Sequence, residues 1–169
     1  AIDCYKKAIR IDPDVLETNM KLGMLLDKKG HVDDAIKFFK KASTIDPDDA
    51  DIYNFLATAL YKKKQFPEAE ASMKIAISIN PNEANNYSYL SSIQLEMDNP
   101  EEANKTCHIA LSLNQQDTLA HNNLGVSLVE MDRKEEAITS FRNALNIDPN
   151  YIEALSNLGY LLLDIGELD

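Results

Sequence analysis

A proline-centred pentapeptide recurs along this chain at a fixed interval, and no other feature limits the available folds so strongly. "IDPDV" stands at 11–15, "IDPDD" at 45–49, "INPNE" at 79–83 and "IDPNY" at 147–151. The slots lie 34 residues apart, with "LNQQD" at 113–117 filling the one that lacks proline. Such a period means stacked copies of one supersecondary unit, each burying its apolar face against its neighbours.

Aligned at this period, whole columns keep their chemistry. Leu22, Leu56, Leu90, Leu124 and Leu158 form one, followed at once by the small Gly23, Ala57, Ser91, Gly125 and Gly159. Ala1, Ala35, Ala69, Ala103 and Ala137 form another, and Ala8, Ala42, Ala76, Ala110 and Ala144 a third. Between the two alanine columns stand the bulkier Tyr5, Phe39, Met73, Cys107 and Phe141. Small residues let two helix axes approach, and a large side chain fills the gap beside each. The spacing predicts antiparallel helix pairs. First helices are expected over 16–29, 50–63, 84–97, 118–131 and 152–165, second helices over 2–11, 33–45, 67–79, 101–113 and 135–147. Proline ends each second helix, because the residue before it is pushed out of the helical region. Pro67 and Pro100 suit a first helical turn, as do the acidic pairs at 33–34, 101–102 and 135–136.

The pattern resembles the tetratricopeptide repeat, whose signature runs W-x2-L-G-x2-Y, then A-x3-F, then P. "NMKLGMLL", "AIKFFKKA" and "DP" between 19 and 47 carry it, as do "HNNLGVSL", "AITSFRNA" and "DP" between 121 and 149. The resemblance covers the whole chain. It implies an all-α, right-handed superhelical solenoid of antiparallel helix pairs. The expected organisation is a single array: a half-repeat 1–15, repeats 16–49, 50–83, 84–117 and 118–151, and a half-repeat 152–169. Repeat 84–117 departs from the pattern, with Ser91 for glycine, Gln94 for leucine, Cys107 for the aromatic and Gln115 for proline. It is expected to be the least stable, because these side chains fill less of the core.

In the family's architecture the first helix of each repeat lines a concave groove, and helical spacing then selects the residues facing it. The expected peptide-binding residues are Met20, Met24, Asn54, Phe55, Tyr61, Tyr89, Asn122, Asn123, Val126, Asn157 and Tyr160. Methionine and tyrosine offer adaptable apolar contact, and asparagine offers a peptide both donor and acceptor. Asn123 and Asn157 occupy matching places and resemble the asparagine rows of O-linked N-acetylglucosamine transferases. Lys21, Phe55 and Tyr89 interrupt that row. Lys21, Lys28 and Lys62 bear only a weak likeness to the carboxylate clamp of chaperone-binding members.

The chain carries a formal charge of −11, unevenly held. Residues 1–83 have 13 basic against 14 acidic side chains, whereas 84–169 have 4 against 14. Nucleic acid and anionic membranes are therefore poor partners. A basic peptide is the sharper expectation, lying across 84–165 beside Glu96, Glu130, Glu153 and Asp164. No apolar run approaches the ~18 residues of a membrane span, so no direct membrane insertion is expected. Cys4 and Cys107 form no CxxC pair and read as buried apolar side chains in a reducing compartment, which makes a cytoplasmic location the expectation.

No catalytic, metal-ligating or cofactor-binding motif stands out: there is no GxSxG, phosphate loop or HExxH. The expected role is a non-enzymatic protein-interaction scaffold that holds a peptide or partner segment, without cofactor or metal. One alternative is a substrate-recognition segment of a larger enzyme such as a glycosyltransferase. Another is a self-assembling scaffold. Leu155, Leu158, Leu161, Leu162 and Ile165 on the last helix, and Ile2, Tyr5, Ala8 and Ile9 on the first, have no following or preceding helix to cover them. Head-to-tail association of a segment from a longer array is the resulting expectation.

Overall fold

The computed structural model describes residues 2–166, which form ten α-helices and no strand. They are α1 (Ile2–Ile11), α2 (Leu16–Lys28), α3 (Val32–Ile45), α4 (Ala50–Lys62), α5 (Phe66–Ile79), α6 (Ala84–Glu96), α7 (Pro100–Leu113), α8 (Thr118–Glu130), α9 (Lys134–Ile147) and α10 (Ile152–Ile165). Each predicted boundary lies within one residue of the observed one. The chain divides into an N-terminal unit, 1–81, and a C-terminal unit, 82–169. In the first, α2 packs on α1 and α3, and α4 on α3, α5 and α2. In the second, α7 packs on α6 and α8, α9 on α8 and α10, and α8 also meets α6 and α10.

The alanine columns lie inside these contacts. Ala35, Ala42, Ala69, Ala76, Ala103, Ala110, Ala137 and Ala144 are all fully buried. Ala8 is exposed, so the third column does not extend to α1, and Ala1 lies outside the described residues. Between the alanines, Phe39, Met73, Cys107 and Phe141 are buried. The small column opposite explains how the rings fit. A Cβ added at Gly23 would lie 2.6 Å from the Phe39 ring, and one at Gly125 would lie 2.5 Å from that of Phe141. In the other two repeats a Cβ is present, as Ala57 and Ser91, and the bulky partner shrinks to Met73 and Cys107. The two columns compensate in volume, as close packing demands.

Cys107 is shut in, and burial pushes its thiol up to about 12 despite a hydrogen bond with Ser91. Cys4 departs from expectation. It is exposed on α1.

The turns within a pair also repeat. Gly30, Lys64, Asp98, Asp132 and Gly166 all have positive φ, each 34 residues from the next. Around the first, Gly30 N–H donates to Asp27 O and His31 N–H to Leu26 O, both at 2.9 Å, closing the end of α2 with a left-handed residue. The turns between pairs are held by a side chain. Asp12, Asp46, Asn114 and Asp148 each accept a hydrogen bond from the backbone N–H two residues on, at 3.0–3.2 Å. Asn114 does so with Gln115 after it, and its backbone is extended (φ −141, ψ 99) like that of Asp46 (φ −131, ψ 94). The helix therefore stops at the same place without proline. The Asx side chain, present in all five slots, is the more constant stop signal.

Candidate functional site

In the N-terminal unit, α2 and α4 carry five of the expected groove residues. Met24 and Phe55 are exposed, whereas Met20, Asn54 and Tyr61 are half-buried. The aromatic rings are partly engaged within the fold. Phe55 stacks on Phe39 with centroids 5.7 Å apart, and Tyr61 tilts against Phe66 at 5.6 Å. Asn54 has a buried Oδ1 with no hydrogen-bond partner. Lys62 pairs with Asp27 at 2.6 Å and Lys21 with Glu17, whose carboxyl is held below its usual range by that lysine. Two of the three clamp-like lysines thus have carboxylate partners inside the molecule.

In the C-terminal unit the asparagines need correction. Asn123 was expected to face a peptide, yet it is 5% exposed and its Nδ2 lies 3.1 Å from Ser88 O, 3.0 Å from Ser91 Oγ and 2.7 Å from Ser92 Oγ. Asn122 is buried too, and its Oδ1 accepts from Asn157 Nδ2 at 3.0 Å. These positions fall in the seam between consecutive first helices, where an amide is satisfied by the preceding helix. Asn123 joins α8 to α6, and Asn157 joins α10 to α8. Sequence spacing alone missed this, because a seam and a groove face differ by less than one residue's rotation of about 100°.

The same seam holds Asp117, buried at the N-terminus of α8. Its side chain accepts from Ala120 N–H at 2.9 Å and from the Ser88 hydroxyl at 2.6 Å. Polar residues in repeat 84–117 are therefore partly built into a network. Not all are satisfied: Asn86 and Gln94 are each 2% exposed, and Asn86 Nδ2 and Gln94 Oε1 have no partner.

Tyr89 and Tyr160 remain open, at 50% and 74% exposure, and Val126 is half-buried. Between α8 and α10 lies a notch of about 300 Å³, lined by Val126, Val129, Glu130, Asn157, Tyr160 and Asp164, with Phe141 and Leu161 also contributing. Burial, and then the charge of Asp98, raise the Glu130 carboxyl above its ordinary value. Asp164 accepts from Lys134 Nζ at 2.7 Å. Glu153 does not belong to this cluster. It stands in the first turn of α10, eleven residues and roughly 16 Å along the helix from Asp164.

Among the described residues, no group of three His, Cys, Asp or Glu side chains is arranged to hold a metal ion. No described helix is long and apolar enough to cross a membrane.

Comparison with known proteins agrees with the period and the packing. The chain is similar to the crystal structure of MamA, with 26% identity over 90% of this chain and 89% of that one, and a TM-score of 0.83. The structure of YrrB, described as a TPR protein with an unusual peptide-binding site, is 22% identical over 98% of this chain and 86% of that one, with a TM-score of 0.76. The first TPR of Spaghetti (RPAP3), bound to the HSP90 peptide SRMEEVD, is 20% identical over 69% of this chain and 93% of that one, with a TM-score of 0.66. At such identities the last two share the fold alone. No curated protein matches the chain. The Tetratricopeptide repeat family model matches residues 1–59 and 28–91, and a second model, TPR repeat, matches 127–166. With more than half the sequence covered by one of these models, the chain belongs to the tetratricopeptide repeat family.

Proposed function

We propose that this chain is a protein-interaction module that holds a peptide segment, and that in its C-terminal unit the segment is basic. The observation that carries this reading is the face formed by α8 and α10. It combines the exposed ring of Tyr160 and the apolar Val126 and Val129 with the carboxylates Glu130 and Asp164. The charge balance of 4 basic against 14 acidic residues over 84–169 acts in the same direction. The complex of RPAP3, a protein of this fold, with an HSP90 peptide supports the general mode. In the N-terminal unit, Met24 and Phe55 supply exposed apolar contact of the same kind.

A peptide array probed with the 169-residue protein tests the reading. Peptides rich in Lys and Arg should bind, and more weakly as salt rises, because exposed charges are screened beyond about 10 Å at 0.1 M. Acidic peptides bound equally well would remove the basic preference. An array without any binder would remove the peptide-binding role.

A further inference from the structure

We infer that the notch between α8 and α10 is a pocket for one arginine side chain of the bound peptide, its stem against Val126, Val129 and Tyr160 and its guanidinium at Glu130 and Asp164. This rests on the peptide-binding reading above and names the chemistry at that same face.

Three features of the site favour this occupant. The notch, at about 300 Å³, has room for a long side chain. Its lining combines the apolar Val126, Val129, Phe141 and Leu161 with carboxylates, which suits a side chain that buries its methylenes and keeps its charge at the water boundary. The Tyr160 ring is 74% exposed and free to stack on a planar cation.

The rim supplies the charge complement. Glu130 stands where burial and Asp98 both disfavour its ionised form, so a cation placed there relieves an existing electrostatic cost. Asp164 has one oxygen on Lys134, which leaves the other to accept from a guanidinium. Asn157 spends its amide nitrogen on Asn122 and keeps its oxygen for a peptide N–H. A peptide carboxylate in the same notch would meet two like charges. The arrangement thus has the opposite polarity to a carboxylate clamp.

The test uses the 169-residue protein, labelled with nitrogen-15, and the blocked peptide Ac-Ala-Ala-Ala-Arg-Ala-Ala-Ala-NH2. Titration should shift the amides of 126–130 and 157–164 along one saturable curve. Replacing the arginine by citrulline, equal in shape but neutral, should weaken binding about tenfold or more. Glu130→Gln should weaken it by about tenfold, whereas Glu101→Gln, which removes the same charge from the start of α7, should change it less than about twofold. Lys134→Ala should strengthen it by freeing Asp164.

Citrulline binding as tightly as arginine overturns the inference, as does an equal effect of the Glu130 and Glu101 substitutions. Shifts confined to other residues, or none at all, overturn it too. The array distinguishes the two levels of failure. If it finds binders while this pocket stays silent, the arginine pocket falls and the interaction module stands. If it finds none, both fall.

Discussion

At the scale of single residues, the fold depends on matched volumes rather than on apolar character alone. Gly125 and Gly159 occupy the same column but have different surroundings. A methyl at Gly125 would lie 2.5 Å from the Phe141 ring, whereas one at Gly159 meets nothing within 4 Å. Gly125→Ala should therefore cost about 1–3 kcal/mol through overpacking. Gly159→Ala should instead gain about 0.5–1 kcal/mol from helix propensity. Urea denaturation of the two variants checks both, and equal shifts of the same sign would contradict the packing account. Gln94 offers the reverse case. It is buried, its Oε1 is unpartnered, and leucine stands at the matching positions 26, 60, 128 and 162. Gln94→Leu removes that desolvation cost of about 1–3 kcal/mol and should raise the denaturation midpoint, with slower amide exchange in α6 and α7.

At the scale of an element, a helix here ends by two mechanisms that usually coincide. Repeat 84–117 separates them, because Asn114 makes the Asx bond and Gln115 replaces proline. Asn114 already has the extended conformation that a following proline requires. Gln115→Pro should accordingly leave α7 unchanged and stabilise the protein by about 0.4–1 kcal/mol by restricting the unfolded chain. Thermal denaturation reads this directly, and a fall in Tm would mean that Gln115 uses a backbone conformation closed to proline. The turns within each pair work differently, through a left-handed residue that is glycine at 30 and 166 but Lys64, Asp98 and Asp132 elsewhere. Non-glycine residues hold that conformation only where the surrounding bonds fix it. Around Asp132 they are Asp132 N–H to Val129 O at 3.0 Å and Arg133 N–H to Leu128 O at 2.8 Å.

At the scale of the whole molecule, the unequal charge of its two halves sets what each can attract. Exposed apolar side chains stand on α10 and at the end of α1. On α10, Ile152, Leu155 and Leu163 are each at least half exposed, and on α1 Ile11 is 87% exposed. The 169-residue polypeptide should therefore form larger species as its concentration rises, through heterologous contact of α10 with α1 of another copy. Light scattering measures this. Polar substitution at Leu155 and Leu163 should abolish it, and association that survives both changes would place the contact elsewhere.

The helices and their ends were legible in the sequence because they depend on local chemistry repeated at a fixed period. Asx and proline stops, acidic first turns and alternating small and large residues act within a few positions of where they stand. Family membership followed from the same columns. The candidate site was legible only in part. Tyr160 and Val126 line one notch with Glu130 and Asp164 but not with Glu153, whereas Asn122 and Asn123 turn into the seam because buried amides take the nearest acceptors and donors on a neighbouring helix. Which carboxylates share a notch, which lysine already occupies one, and whether a glycine faces a ring or water depend on residues about 16 to 35 positions away. Tertiary structure decides these, because side-chain burial and pairing are properties of the space between helices and not of any one of them.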